Sequence, residues 1–302
     1  MKIAILSDAR LPTATDYAGH GLGQVAITVA NGLADCGHEV TLFAGVGSSF
    51  AKGKLITAAD ERDFLKHDLT AYSAVIDNTH GKVTRVIKGL PVIQVSHDRE
   101  SSPNMQAVFP TITHARWHGF TKENSRIVYN GVNAQEQAKK PRGDYFAYVS
   151  TFYPAKGAYS AMQAAQLAGV RLVMAGSTPP APPPGADYIG PLAGDDKFNF
   201  LAGAKALLFP SAIEAAPLTV LEAQSVGCPV IVSCYGGAHE NMQHELTGYA
   251  VGDTEEMAAR IVDIDKIDRD ACIEWVKENR SSETMIAAYD DLLQRVAGGE
   301  RW

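Results

Sequence analysis

An α/β protein built on two open parallel sheets is what the sequence predicts, and three observations lead there. Short apolar runs alternate with segments of helical periodicity along the 302 residues, the pattern of crossover helices between parallel strands. The alternation breaks at 132–144, a polar, charged stretch that contains Pro141, and then starts afresh. The length suits two domains of ordinary size.

The elements follow in order. Residues 2–7 read as a buried strand and 23–36 as a helix with Val25, Ile27, Val29 and Leu33 on its apolar face. Strands are predicted at 38–44, 74–77, 91–95, 109–113 and 126–129. After the linker come a strand at 145–150, a helix at 156–168, strands at 171–175 and 187–189, and a short helix at 195–202. The run 204–210 is apolar enough for a buried strand. Pro217 fits the first position of the next helix and Gly227 its stop. A strand at 229–233 and helices at 254–262, 269–279 and 282–296 complete the chain. The stretch 178–184, Thr-Pro-Pro-Ala-Pro-Pro-Pro, is excluded from helix and central strand and reads as a stiff surface loop. The domains are therefore expected at 1–138 and 143–281, with 282–302 a helix crossing back to the first. Two such sheets place a cleft at their carboxyl ends, where ligands of these folds bind.

Composition narrows the function. The net charge of −7 argues against a nucleic-acid binder. It is uneven: residues 1–142 carry 16 Lys and Arg against 13 Asp and Glu, and 143–302 carry 11 against 21. The opening apolar run is too short for a signal-peptide core, and no stretch approaches the roughly 18 apolar residues of a membrane span. Cys36, Cys228, Cys234 and Cys272 are scattered without a Cys-x-x-Cys. They read as reduced thiols of a cytoplasmic protein. Zincin, α/β-hydrolase and P-loop motifs are absent.

Glu214 and Glu222 are the most informative pair. Glu214 stands at the exit of the 204–210 strand and Glu222 on the helix that follows. Between them lies a helix N-terminus, whose unpaired amides attract anions. Carboxylates accept from sugar hydroxyls, so Pro217, Leu218, Thr219 and the two glutamates together suggest a nucleotide-sugar. Lys156, where the second half's first strand meets its helix, is placed to meet a diphosphate. Gly176 and Ile189 close later strands with backbone suited to a base edge. In the first half, Gly19-His20-Gly21-Leu22-Gly23-Gln24 forms a glycine-rich loop opening a helix. It is not a dinucleotide fingerprint, and the second strand ends on Ala44 rather than an acid, so NAD is disfavoured. His97 follows the 91–95 strand, where an imidazole can donate to a hydroxyl or support developing charge.

These residues resemble retaining glycosyltransferase family 4, a GT-B group with two Rossmann-like domains facing across a cleft. The likeness is ordered along the whole chain: the opening strand with Gly21 and Gly23, Ser96-His97-Asp98, Tyr129-Asn130-Gly131-Val132-Asn133, the 147–157 segment ending Lys156-Gly157, Gly190-Pro191-Leu192, and the Glu-x7-Glu spacing of Glu214 and Glu222. The resemblance implies a hexosyltransferase using a UDP- or GDP-sugar as co-substrate, with no cofactor and no metal. It implies that Glu222 holds the ribose, Glu214 the donor sugar and Lys156 the diphosphate. His97 reaches the donor sugar, Gly21 and Gly23 line the phosphate and acceptor side, and the backbone near Ile189 faces the base. The acceptor is a small molecule, saccharide or lipid-linked hydroxyl, with weak or absent membrane association. Two departures stand out. Thr151 occupies the family's arginine position, and Glu214-Ala215-Ala216-Pro217-Leu218 replaces its Glu-Gly-Phe-Gly-Leu. Alternatives are a non-catalytic nucleotide- or sugar-binding member of the fold, or a nucleotide-sugar epimerase or sugar phosphorylase.

Overall fold

The computed structural model describes residues 1–13, 21–79, 81–86, 89–97, 106–135, 140–178 and 183–302. Contacts divide the chain into Met1–Asn130 with Ser282–Trp302, and Gly131–Ser281.

The first unit holds β1 (Lys2–Leu6), α1 (Gly21–Asp35), β2 (Glu39–Gly45), β3 (Lys54–Ala58), β4 (Ala74–Asp77), β5 (Val92–Val95), β6 (Ala107–Phe109), α2 (Ile112–Trp117) and β7 (Ser125–Ile127). Its seven strands lie in the order β3-β2-β1-β4-β5-β6-β7, all parallel. Leu6, Phe43, Phe64, Val75 and Val92 belong to one core cluster. The second unit holds β8 (Tyr145–Val149), α3 (Ala158–Ala168), β9 (Arg171–Ala175), β10 (Asp187–Tyr188), α4 (Gly194–Gly203), β11 (Leu207–Phe209), α5 (Leu218–Ser225), β12 (Val230–Ser233), β13 (Gly248–Val251), α6 (Thr254–Asp263) and α7 (Arg269–Asn279). Its sheet runs β10-β9-β8-β11-β12-β13, again parallel.

The central strands are largely apolar because both faces of each sheet are covered there. Along β8, Phe146 and Tyr148 join the cluster with Ala161 of α3 and Met257 of α6, whereas Ala147 and Val149 join Leu201 of α4 and Val220 of α5. This is the two-residue alternation of a strand. The last helix, α8 (Ser282–Ala297), belongs to the first unit and packs on α1. His38 helps fix it there: its Nδ1 lies 3.0 Å from the Met1 ammonium and its Nε2 2.9 Å from Asp290 of α8. An ammonium can only donate, so Nδ1 accepts and Nε2–H donates to the carboxylate.

Several sequence expectations need correction. The run 109–113 is split: Phe109 ends β6, and Thr111 caps α2, its Oγ1 accepting from the His114 amide at 3.1 Å. Pro217 is the N-cap of α5 and the helix begins at Leu218, while Gly227 with φ +73° does follow its end. Lys156 is not on α3 but on a one-turn 3-10 helix, Pro154–Lys156, that precedes it. Gly21 and Gly23 lie in the first turn of α1 rather than in a loop; Gly19 and His20 fall outside the described residues. The stretch 132–144 is tied down rather than loose in its described parts. Gln135 N donates to Ser225 O at 2.9 Å, Gly143 N to Gly203 O at 2.7 Å, and Arg142 reaches Asp265 and Ile267 O. Of the proline loop, 179–182 fall outside the described residues.

Among the described residues, no helix is long and apolar enough to cross a membrane.

Candidate active site

In the second unit the strand order reverses between β8 and β11, and the loops leaving those neighbours diverge to opposite faces. Both loops carry site residues. After β8, Pro154 starts the single 3-10 turn and Gly157 ends it with φ +78°. A Cβ at Gly157 would also sit 2.8 Å from Pro210 Cγ and 3.1 Å from Pro210 O. Only glycine suits both the left-handed backbone and this approach. The close fit, with Ser211 Oγ donating to Ala155 O at 3.3 Å, draws the two loops together. Lys156 Nζ thereby meets Glu214 Oε1 at 2.5 Å, both side chains partly buried. The Glu214 carbonyl accepts from Gly237 N at 2.8 Å, which fixes the main chain behind the carboxylate.

From Glu214 the chain runs through Pro217 into α5, whose N-terminus has no capping side chain and no acid in its first turn. Leu218 and Thr219 are its first residues, so their amides belong to the set without intrahelical acceptors. Glu222 lies one turn further on and is buried. Its Oε1 accepts from Lys197 Nζ of α4 at 2.5 Å. Its Oε2 is buried and has no hydrogen-bond partner among the described residues. A buried carboxylate oxygen without a donor is costly, so this oxygen has capacity to accept from a water or a hydroxyl.

Gly176 and Ile189 stand at the carboxyl ends of β9 and β10. A Cβ on Gly176 would fall 1.7 Å from Ser150 O, its φ is +142°, and its amide donates to Gly190 O at 3.1 Å. The close approach of backbone explains this glycine without a ligand. Ile189 is exposed, and its own N–H is taken by Met174 O at 3.0 Å. Thr151 is exposed.

His97 belongs to the first unit, just past β5, where its Nε2 lies 3.2 Å from Asn78 Oδ1 at the end of β4. Beneath it Asp77 is fully buried and accepts from Thr79 and Thr84, and Gln94 donates to the Thr84 hydroxyl at 2.9 Å. This network stiffens the strand ends that carry Asn78 and His97. Past β1, burial alone would raise the Asp8 carboxyl, but hydrogen bonds from Arg10 outweigh it and hold the group well below the usual carboxylate range. A Cβ at Gly23 would meet Pro12 O and Thr13 Oγ1 at 3.5 and 3.6 Å, ordinary contact. Gly23→Ala is therefore expected to fold, with stability unchanged or raised by up to about 1 kcal/mol as a helix glycine is removed. If Gly23 admits a ligand, KM for donor or acceptor rises while thermal unfolding does not worsen. An unchanged KM would show the glycine is dispensable to binding.

The structure thus brings Lys156 to Glu214 and adds two residues that sequence reading missed. Lys197 gave no signal, being 25 residues from Glu222. Asn78 directly follows a predicted strand end, a position that could have drawn attention. Among the described residues, no group of three or more His, Cys, Asp or Glu could hold a metal ion.

Comparison with known proteins is consistent with this geometry. Residues 143–265 match the family model described as Glycosyl transferases group 1. No curated protein sequence matches the chain. Among solved structures, AviGT4, a glycosyltransferase involved in avilamycin A biosynthesis, superposes with a TM-score of 0.81 at 22% identity, covering 100% of this chain and 99% of that one. Sucrose-phosphate synthase from Thermosynechococcus elongatus gives 0.79 at 16% identity, covering 99% and 100%. HepE from Anabaena, solved in complex with UDP-glucose, gives 0.73 at 16% identity, covering 97% and 99%. The fold is GT-B, and residues 143–265 are similar to the glycosyl transferases group 1 family.

Proposed function

We propose that the second unit binds a nucleoside diphosphate sugar, UDP- or GDP-linked, and that the enzyme passes a hexose to a hydroxyl acceptor with retention of configuration and without metal or cofactor, as in glycosyltransferase family 4. The observation that carries this reading is the set at the β8–β11 exits. Lys156 and Glu214 are paired, the first turn of α5 lacks a capping side chain, and Glu222 offers one buried, unpartnered oxygen. UDP-glucose bound to HepE supports a UDP-sugar as the donor to test first.

Each group has a task set by its chemistry. The open Glu222 oxygen accepts from a ribose hydroxyl. The α5 first-turn amides and the Lys156 ammonium hold the diphosphate. Glu214, relieved of part of its pairing when the ammonium turns to phosphate, accepts from donor-sugar hydroxyls. In the reaction the bond from the anomeric carbon to the diphosphate oxygen breaks, its electron pair leaving with the diphosphate. The acceptor oxygen bonds the same face of that carbon, and its proton passes to a diphosphate oxygen. Fixed donors then stabilise charge that grows on the leaving group. For His97, Gly21 and Gly23 the roles proposed are those the family resemblance implies. The acceptor is a small molecule, saccharide or lipid-linked hydroxyl, and the enzyme works in the cytoplasm with little or no membrane association.

The test is proton NMR of a panel of UDP-, GDP- and ADP-sugars incubated with the enzyme, EDTA and sugar acceptors. Product with the donor's anomeric configuration is expected. Inverted product or transfer abolished by EDTA would contradict the mechanism. Thr151 favours a second reading, binding without transfer, because a hydroxyl does not replace a guanidinium fork. It predicts nucleotide binding with neither transfer nor donor hydrolysis in the same tubes.

A further inference from the structure

We propose that Lys197 is a positioning residue for nucleotide recognition: it holds one oxygen of Glu222 so that the other is presented to a vicinal pair of ribose hydroxyls. The inference rests on the reading of Glu222 as the nucleotide-ribose ligand. It starts from an asymmetry within one carboxylate. Oε1 takes an ammonium at 2.5 Å and Oε2, buried, takes nothing among the described residues. The two side chains are 19% and 12% exposed, so the pair lies largely out of water, where an ionic hydrogen bond fixes direction as well as charge.

The two residues come from neighbouring helices. Lys197 is in the first half of α4, whose Leu201 and Ala202 pack in the same cluster as Val220 and Ala223 of α5. That packing sets the height of Lys197 against Glu222. The ammonium has no acceptor capacity and the carboxylate no donor capacity. Lys197 therefore occupies one side of Glu222 without competing for the hydroxyls on the other. Without the ammonium, nothing among the described residues holds Oε1, and the carboxylate turns toward water. It then ceases to be a fixed acceptor for two hydroxyls. A ligand lacking those hydroxyls would not register the difference.

The test compares Kd by calorimetry for UDP, GDP and ADP with Kd for their 2′,3′-dideoxy counterparts, in wild type, Lys197→Met, Lys197→Arg and Glu222→Gln. Wild type should prefer at least one ribonucleotide over its dideoxy form by roughly tenfold or more, the range of hydrogen bonds to a charged group. Lys197→Met should lose most of that preference by weakening the ribonucleotide alone, as Glu222→Gln does, and Lys197→Arg should restore part of it. If Lys197→Met does not fold, as judged by its unfolding transition, Lys197→Gln replaces it. A purely structural ion pair would lower both affinities together and leave the preference intact, which overturns the role of Lys197 while Glu222→Gln still loses it. A wild type that binds none of the nucleotides, or shows no preference, overturns the nucleotide-ribose reading itself.

Discussion

Replacing Lys156 with alanine lowers turnover by roughly 10²–10³-fold, the range for removing one fixed donor aimed at charge that develops in a transition state. The ammonium stands within 2.5 Å of Glu214 in a partly buried setting. Its removal therefore does two things: it deletes the cation proposed to meet the departing diphosphate, and it leaves a carboxylate facing that diphosphate without a counter-charge. The second effect adds repulsion to the first. The stability cost is expected to be small, about 1 kcal/mol or less, since both side chains keep contact with water. Steady-state kinetics separates the effects. A fall in kcat exceeding the rise in donor KM marks an interaction made chiefly in the transition state. A rise in KM alone would reduce Lys156 to a binding residue. Lys156→Arg should rescue poorly, because a planar fork does not fit where a compact ammonium reaches one oxygen.

Arg269→Met should cost about 3–5 kcal/mol, the scale for breaking a buried charged network, and lower the unfolding midpoint by roughly 10 °C. Arg269 is buried, and burial pushes its pKa downward. Its hydrogen bonds go to four main-chain carbonyls: Gly227 at 2.5 Å, Lys140 and Ala202 at 2.6 Å and Val226 at 3.3 Å. Val226 and Gly227 follow the last turn of α5, and Ala202 is in the last turn of α4. A cation there meets the negative ends of both helices. The side chain thus ties together the two helices that bring Glu222 and Lys197, and anchors the segment entering the second unit. Methionine fills the volume but leaves those carbonyls buried without donors. Lysine should recover only part of the loss, having no guanidinium fork to span the acceptors. Thermal unfolding followed by circular dichroism checks this. A midpoint shift under about 3 °C would mean that water replaces the guanidinium at little cost.

The parallel α/β plan was legible because strands covered on both faces are continuous apolar runs. Residues 74–77, 171–175 and 269–279 form the elements read from them. Where the chain escaped, the causes are local. β3 is a half-exposed edge strand, Lys54–Ala58, with no apolar run to announce it. β13 opens on Thr247-Gly248, which reads as a turn. Glycine is needed there because a Cβ would lie 1.9 Å from Val230 O. For the site, the apolar run 204–210 with Pro217 and Gly227 placed Glu214 past a strand and Glu222 on the following helix, where they lie. The ammonium beside Glu222 comes instead from another helix, set by helix packing that linear spacing does not encode. Gly176, read from the sequence as offering backbone to a base edge, also meets a packing need, since a Cβ there would lie 1.7 Å from Ser150 O.

The most direct measurement is calorimetric titration of UDP, GDP and ADP into wild type, Lys156→Ala and Glu222→Gln. At least one nucleotide is predicted to bind wild type with a Kd weakened roughly tenfold or more in each variant. Equal affinity across all three proteins would contradict the assignment of these residues to the diphosphate and ribose.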